Sequence, residues 1–462
     1  MRRDGREIKK NMKACRIFVP YGALGTGILE ESFIRGVEMK PDAIVCDAGS
    51  TDSGPYYLGT GKGKYAKDSV KEDLRRMILA GHQRNIPVMV GSAGTCGTDS
   101  GVDSLCELCR EICREEKIQM KAAKIYCQQQ PEKIKEKYRN HQIIPLEGAK
   151  PIDEQVFEKC TNIVGLAGAE AFREALGQGA DIVICGRATD TAIIAAIPLM
   201  RGCNEAGAWH GAKIAECGAL CTTNPTGGGV FLTFDEKGFT IEPTSLDSRC
   251  TAYSVSSHML YENADPYCLR EPLGILNTKT AVYEELDERR VRVWGSTFTH
   301  MPYTIKLEGA AHTGYQTVTI VGIRDRRILK NPQAWLSRLE TYVERKLDHF
   351  HIERSSYDID FKMYGWNGVS GACPKAGYVP NEIGVVMTVT AQSQEQATRI
   401  AKIYNPYLLH FPIEPEEQLP TFAFIFSPAE MERGPVYEFM LHHVVKVEDP
   451  MELFHIETEM MT

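Results

Sequence analysis

The densest chemistry in the chain lies in the turn Cys185-Gly186-Arg187-Ala188-Thr189-Asp190-Thr191, where an arginine and an aspartate follow the β-branched run DIVIC. A guanidinium there could grip a carboxylate through two parallel N–H donors, which an ammonium cannot do. Asp190 is suited either to capping the next helix or to carrying a proton, and an Arg187–Asp190 ion pair is the plain structural alternative. A second loop, Cys46-Asp47-Ala48-Gly49-Ser50-Thr51-Asp52-Ser53-Gly54-Pro55, packs two carboxylates and three hydroxyls beyond the run AIV. Asp47 could act as a general base or hold a cation. Asp52 could do the same or cap the following turn, and Ser50 and Thr51 could bind substrate. Glu216, in the small-residue turn Glu216-Cys217-Gly218, adds another candidate carboxylate.

Two further glycine loops offer backbone amides. Gly22-Ala23-Leu24-Gly25-Thr26-Gly27 follows a strand-like run and opens a helical pattern, the geometry that aims free N–H groups at an anion. It matches neither a dinucleotide fingerprint nor a phosphate-binding P-loop, so there is no nucleotide signature. Gly91-Ser92-Ala93-Gly94-Thr95-Cys96-Gly97 resembles a second amide cradle, with Ser92, Gly94 and Thr95 as candidate substrate contacts. Cys96 is a candidate nucleophile if a base or a positive charge lies beside it. His258, His300 and His312 stand in polar surroundings but have no ligand-like partner two or four residues away, and His442 and His443 fall in a strand pattern. The spacing therefore does not predict zinc. A divalent cation on the loop carboxylates is the cofactor the sequence leaves open.

Positioning these loops falls to a repeated alternation. The runs CRIFVP, AIVCDAGS, IPVMVGSAG, AAKIYC, NIVGLAG and DIVICG each precede a turn, and most then lead into a helical pattern. Such alternation predicts parallel βα units, and their loops gather at the carboxyl ends of the strands, where α/β folds bind ligands. From about Val291 the pattern changes to runs of strands with two helices, NPQAWLSRLETYVERKL and SQEQATRIAKIY. The expected architecture is α/β, a mainly parallel sheet with flanking helices over 1–290, followed by an α+β, ferredoxin-like domain over 291–462. Between Glu216 and Pro266 the chain reads as irregular, either a substrate-covering insertion or a long connection.

Composition narrows the partners. The 462 residues carry 53 basic and 61 acidic side chains, a net charge of −8, so no global positive field exists to gather nucleic acid or anionic lipid. From Glu414 onward there are 11 acidic and 2 basic residues, which assigns the acidity to the C-terminal stretch and leaves the strand-end loops free to meet an anion. No apolar run is long enough to span a bilayer, and the charged start lacks the core of a signal peptide, so a cytoplasmic, membrane-free protein is expected. The 15 scattered cysteines read as reduced thiols rather than a disulfide framework. Cys106, Cys109 and Cys113 share one face of a helical segment, where a metal site is geometrically open, but with no fourth ligand nearby in the sequence packing as small buried hydrophobes is the expected reading.

The segments GALGTG, DAGSTDSGPYYLG, GADIVICGRATDTA and ECGA together resemble the acyclic terpene utilisation (AtuA-like) family, over most of the chain. The most specific shared element is the G-R-x-x-D turn of Gly186, Arg187 and Asp190. The resemblance implies an α/β scaffold with a strand-end site and a place in the breakdown of branched acyl-CoA compounds or of carboxylic acids generally. The second loop departs from the glycine–aspartate-rich tract expected of the named pathway members, so terpene specificity is not carried over.

From residues and resemblance together, the expected activity is that of a lyase or hydratase acting on a small carboxylic acid or acyl-CoA derivative. Arg187 would hold the substrate carboxylate, Asp47 or Glu216 would move the proton, and the glycine-loop amides would steady an oxyanion or enolate. Two alternatives are an amide or thioester hydrolase using Cys96 or activated water, and a noncatalytic subunit of a catabolic complex. The expected partners are a small anionic substrate, further copies of the chain and a small partner subunit.

Overall fold

The computed structural model describes residues 14–49, 53–261, 263, 265–375, 377–414, 418–420 and 422–462. Candidates Ser50, Thr51 and Asp52 lie outside the described residues. Contacts divide the chain into two units, one running up to Ala311 and taking in Phe439–Thr462, the other spanning His312–Glu438. The sequence suggested a single division near 290.

The first unit is built on a ten-stranded sheet. Its centre is the expected parallel block: Cys15–Val19, Ala43–Asp47, Val88–Gly91, Ile182–Cys185 and Met120–Tyr126, in that spatial order. Every residue of Ala43–Asp47, Val88–Gly91 and Ile182–Cys185 is buried. That is the pattern of strands covered on both faces, and it is why they read as unbroken apolar runs. Large apolar clusters occupy the two sides. The helix Asp99–Glu116 supplies one of them, turning Val102, Leu105, Leu108 and Ile112 inward at helical intervals. Thr98 caps this helix by accepting from the Gly101 amide. Cys106, Cys109 and Cys113 are buried in the same cluster. Burial pushes the Cys106 thiol up to about 12.

The parallel block is extended on both flanks by antiparallel strands. On one side come Val230–Phe234, Gly238–Pro243, Val291–Trp294 and Val282–Glu285. The first two form a hairpin inside the stretch that the sequence left irregular. On the other side His455–Met461 pairs antiparallel with Met120–Tyr126, from His455 opposite Tyr126 to Met461 opposite Met120. The acidic C-terminal stretch is thus not merely a solvated surface, since Glu459 lies between Arg110 and Lys124 and accepts from both. The run NIVG belongs to a strand, Cys160–Gly165, that stands outside the parallel block and pairs antiparallel with Leu307–Ala311 of the long strand Thr304–Ile323.

The second unit is α+β. Ile383–Ala391 pairs antiparallel with Tyr357–Tyr364 and with the Tyr315–Ile323 part of the long strand. The helices Pro332–His349 and Gln394–His410 pack Trp335, Leu336, Leu339, Ile400 and Tyr404 into its core. No helix among the described residues is long and apolar enough to cross a membrane.

Removing residues 455–462 strips a paired strand and exposes the Met120–Tyr126 edge. At ~1 kcal/mol for each net backbone hydrogen bond, a loss on the order of several kcal/mol is expected in urea unfolding, with the baseline far-ultraviolet spectrum of the helices retained. An unchanged midpoint would show that the last strand is dispensable.

Candidate active site

The parallel strands end at Val19, Asp47, Gly91, Tyr126 and Cys185, and their loops converge as this topology requires. A cleft of about 360 Å³ opens there, lined among others by Gly22, Thr26, Asp47, Lys64, Asp190, Glu216 and Cys217. A second cleft of about 270 Å³ includes Arg187, Thr191, Lys213, Glu271 and Lys306. Asp190 and Glu216 line both, so these two carboxylates stand where the clefts meet.

The turn holding Glu216 is pinned to the first glycine loop by backbone contact. A Cβ on Gly22 would fall 2.7 Å from the Cys217 carbonyl oxygen, and one on Gly218 would fall 2.8 Å from the Gly22 nitrogen. Gly218 also has φ +60°, the left-handed region that glycine enters without strain. Two glycines therefore let the chain place Glu216 beside the end of the first strand.

The amide cradles behave differently from expectation. In the first loop, Asp73 of the helix Lys67–Arg84 accepts from the amides of Gly25 at 2.8 Å, Gly27 at 3.2 Å and Ile28 at 2.9 Å. The loop does bind an anion, but the anion belongs to the chain. Gly25 is thereby removed as a substrate contact, and the Thr26 hydroxyl donates to the Ala23 carbonyl at 2.6 Å. In the third loop the amides of Thr95 and Gly97 donate to the carbonyls of Ser92 and Ala93, and the Thr95 hydroxyl donates to the Ala48 carbonyl. Ser92, Gly94 and Thr95 do not line either cleft. Tight turns satisfy their own backbone because an orphaned buried amide is expensive, and sequence cannot tell that outcome from a ligand cradle. Cys96 is buried, its thiol donating to the Ala93 carbonyl and accepting from Thr98, and it too is absent from both clefts.

Arg187 is almost wholly buried and is engaged by the protein. Its Nε donates to Glu308 at 3.0 Å, and one terminal nitrogen reaches the carbonyls of Gly49 and Thr95 at 3.3 Å each. Burial works against its charge, and Glu308, Asp190 and Asp47 more than offset this, so the guanidinium stays charged. Arg187 lines the second cleft and meets Glu308, a partner 121 residues away that no local pattern announces.

Around this cation stand carboxylates with shifted acidity. Asp47 sits at its strand tip, with Oδ2 accepting from the Gly49 amide at 3.0 Å. Its Oδ1 and the nearby Ser92 hydroxyl are buried without a completed hydrogen bond among the described residues. Burial, reinforced by the negative charge of Asp190, pushes Asp47 up to about 8 despite the opposing pull of Arg187. Glu271, missed by the sequence reading, is likewise raised by burial to about 8, with the Thr191 hydroxyl donating to both its oxygens. Glu216 is held well above the usual carboxylate range by burial, although Lys213 pairs with it one helical turn away. Lys213 was also missed. It lies on the buried helix Glu205–Ala215, where its type alone signalled solvent.

Glu216, Cys217 and His258 bring one carboxylate oxygen, one thiol and one ring nitrogen within 4.8 Å of one another. His258 is the one sequence-noted histidine drawn into the region. His300 instead faces Glu205 at 2.9 Å, His312 packs its ring against Tyr315 and Tyr437 in the second unit, and the His443 ring accepts from the His442 amide.

Residues 58–414 match the family described as acyclic terpene utilisation family protein AtuA, and the chain belongs to that family. No curated protein and no solved structure matches the chain.

Two measurements test this geometry. Asp73→Ala orphans the amides it holds, and a loss on the order of 3 kcal/mol in urea unfolding is expected, whereas an exposed aspartate would cost little. For Asp47 and Glu271 the folded pKa lies above the unfolded value of about 4. Their stabilising contribution is therefore complete below about pH 4 and is lost as pH rises through about 8. Asp47→Asn should give a shallower decline of unfolding midpoint across that window than the unaltered protein, and equal slopes would refute the raised Asp47.

Proposed function

We propose that the chain is a lyase or hydratase acting on a small carboxylic acid or acyl-CoA derivative by acid–base chemistry. The observation that carries this reading is Asp47, a carboxyl kept protonated near neutral pH while it lines a cleft with Asp190 and Glu216. Removing or adding water beside a carbonyl needs one group that gives a proton to the departing hydroxyl and another that takes one from the adjacent carbon. Asp47 serves as the proton donor, and Asp190 as its counterpart. Arg187, committed to Glu308 and two carbonyls, acts by fixing the loop of Asp47 and by biasing its charge, not by holding substrate. Lys64, exposed at the cleft and donating to Ser53 at 2.8 Å, is the cation placed to meet an anionic substrate.

Apart from the short helix Arg326–Lys330 and the two-residue strand Ala423–Phe424, the second unit runs strand, helix, two strands, helix, strand, with spatial order Tyr357–Tyr364, Ile383–Ala391, the 312–323 part of the long strand and the 430–438 part of Glu430–Lys446, which supports a ferredoxin-like reading. The 15 scattered cysteines in a chain that builds its own apolar core support a reducing, cytoplasmic setting, and the Cys127 and Cys185 thiols share a hydrogen bond at 3.7 Å.

The test is incubation with a panel of 3-hydroxyacyl and 2-enoyl thioesters and the corresponding hydroxy acids in deuterated water, followed by mass spectrometry. Deuterium uptake beside the carbonyl with gain or loss of water is expected, falling about 10²-fold or more in Asp47→Asn. Release of free thiol without water exchange would favour the hydrolase instead, and turnover unaffected in Asp47→Asn would overturn the assignment of the proton.

A further inference from the structure

Glu216, Cys217 and His258 come from two separate segments, a helix end and a 3-10 turn, and yet their ligand atoms lie within 4.8 Å of one another. From this juxtaposition we propose that they bind a borderline-soft divalent transition ion, of which zinc and cobalt are the type, at the wall of the cleft.

The donor set chooses the ion. A thiol, an imidazole and a carboxylate suit zinc-like ions and exclude magnesium and calcium, which take oxygen. The imidazole gives independent support. His258 is only 5% exposed, and its Nε2 is buried with no hydrogen-bond partner among the described residues. A buried, unsatisfied ring nitrogen costs free energy unless something completes it, and a metal ion or a second shell around one does so. Stacking on Tyr261, 5.5 Å between ring centroids, fixes the plane of the imidazole. Glu216 gives Oε1 to Lys213 and has Oε2 left to give to a metal.

Binding exchanges ligand protons for the metal: the S–H bond of Cys217 breaks as the metal–sulfur bond forms, Glu216 binds as its carboxylate, and the thiol proton together with any proton on Glu216 leaves to solvent. Three protein ligands are the number found in catalytic sites, which keep a position for water or substrate. Glu216 and Cys217 line the cleft, so that position is accessible to a substrate carbonyl or carboxylate. Lysine and carboxylate spacing hid this set, because its two parts are some 40 residues apart and neither shows the i+2 or i+4 spacing by which metal motifs are read.

The inference deepens the acid–base reading by giving it an electrophile, and it rests on that reading only for the role of the ion. The experiment titrates Co(II) alone into the chelator-stripped full chain, followed by absorption spectroscopy and metal analysis. One equivalent per chain is expected, with a thiolate-to-cobalt charge-transfer band. That band should vanish in Cys217→Ser, and affinity should fall about 10-fold or more in His258→Gln. Melting curves establish that each variant is folded, and His258→Gln decides the matter should Cys217→Ser not fold. Less than one equivalent bound, or a band that persists in Cys217→Ser, would overturn the site. A missing band in protein that still exchanges solvent deuterium into substrate removes the metal and leaves the acid–base reading. A normal band in protein that exchanges nothing with any substrate removes the acid–base reading and leaves the metal.

Discussion

A guanidinium taken out of water has to meet acceptors at close range, because its lost hydration amounts to several kcal/mol. Arg187 meets that requirement with Glu308 from the long strand and with the carbonyls of Gly49 and Thr95 from two different strand-end loops. One buried cation thereby ties together the turn after Ile182–Cys185, the loop after Ala43–Asp47 and the loop after Val88–Gly91. The ends of these parallel strands are held in register at the site by charge as well as by the sheet beneath them. Glu308 in turn accepts from Lys306 at 3.2 Å, so neither partner of the central pair is left uncompensated.

The same cation stands beside Asp47 without deciding its charge. Close to Arg187 the carboxyl of Asp47 would be expected to ionise readily, yet burial and the charge of Asp190 win, and it is held protonated up to about pH 8. Glu271 follows the same logic with a hydroxyl for a partner. Groups whose environments push them away from their ordinary acidity are the working parts of acid–base sites, and here they share the carboxyl edge of one sheet. The parallel sheet gives the scaffold, and these residues give the reason to look for proton transfer on it.

How much of this was legible depended on range. Three of the five parallel strands were readable because burial on both faces writes continuous apolar runs into AIVC, VMVG and IVIC, and the other two, CRIFV and AAKIY, kept enough apolar residues around Arg16 and Lys124 to be read as strands. Asp47, Arg187 and Asp190 stood out because charged residues just after such runs have little packing value, and Glu216 because it stands in a small-residue turn. What local pattern could not show were the distant partners. Nothing near Gly25 announces that Asp73 fills its amides, and nothing near Arg187 announces Glu308. Lys213 and Glu271 look like ordinary surface charges until the fold buries them. The hairpin Val230–Phe234 and Gly238–Pro243 was obscured by the glycines before it, and the return of the last strand to the first unit is a long-range pairing that periodicity does not encode.

The central claim is that Asp47 carries a proton at neutral pH. Difference infrared spectroscopy between the unaltered protein and Asp47→Asn, recorded from pH 5 to pH 9, reads this directly through the carbonyl stretch of a protonated carboxyl. The account predicts a protonated-carboxyl band at pH 7 that is absent in the variant and titrates away near pH 8. An Asp47 already ionised at pH 6, with no such band, would contradict it.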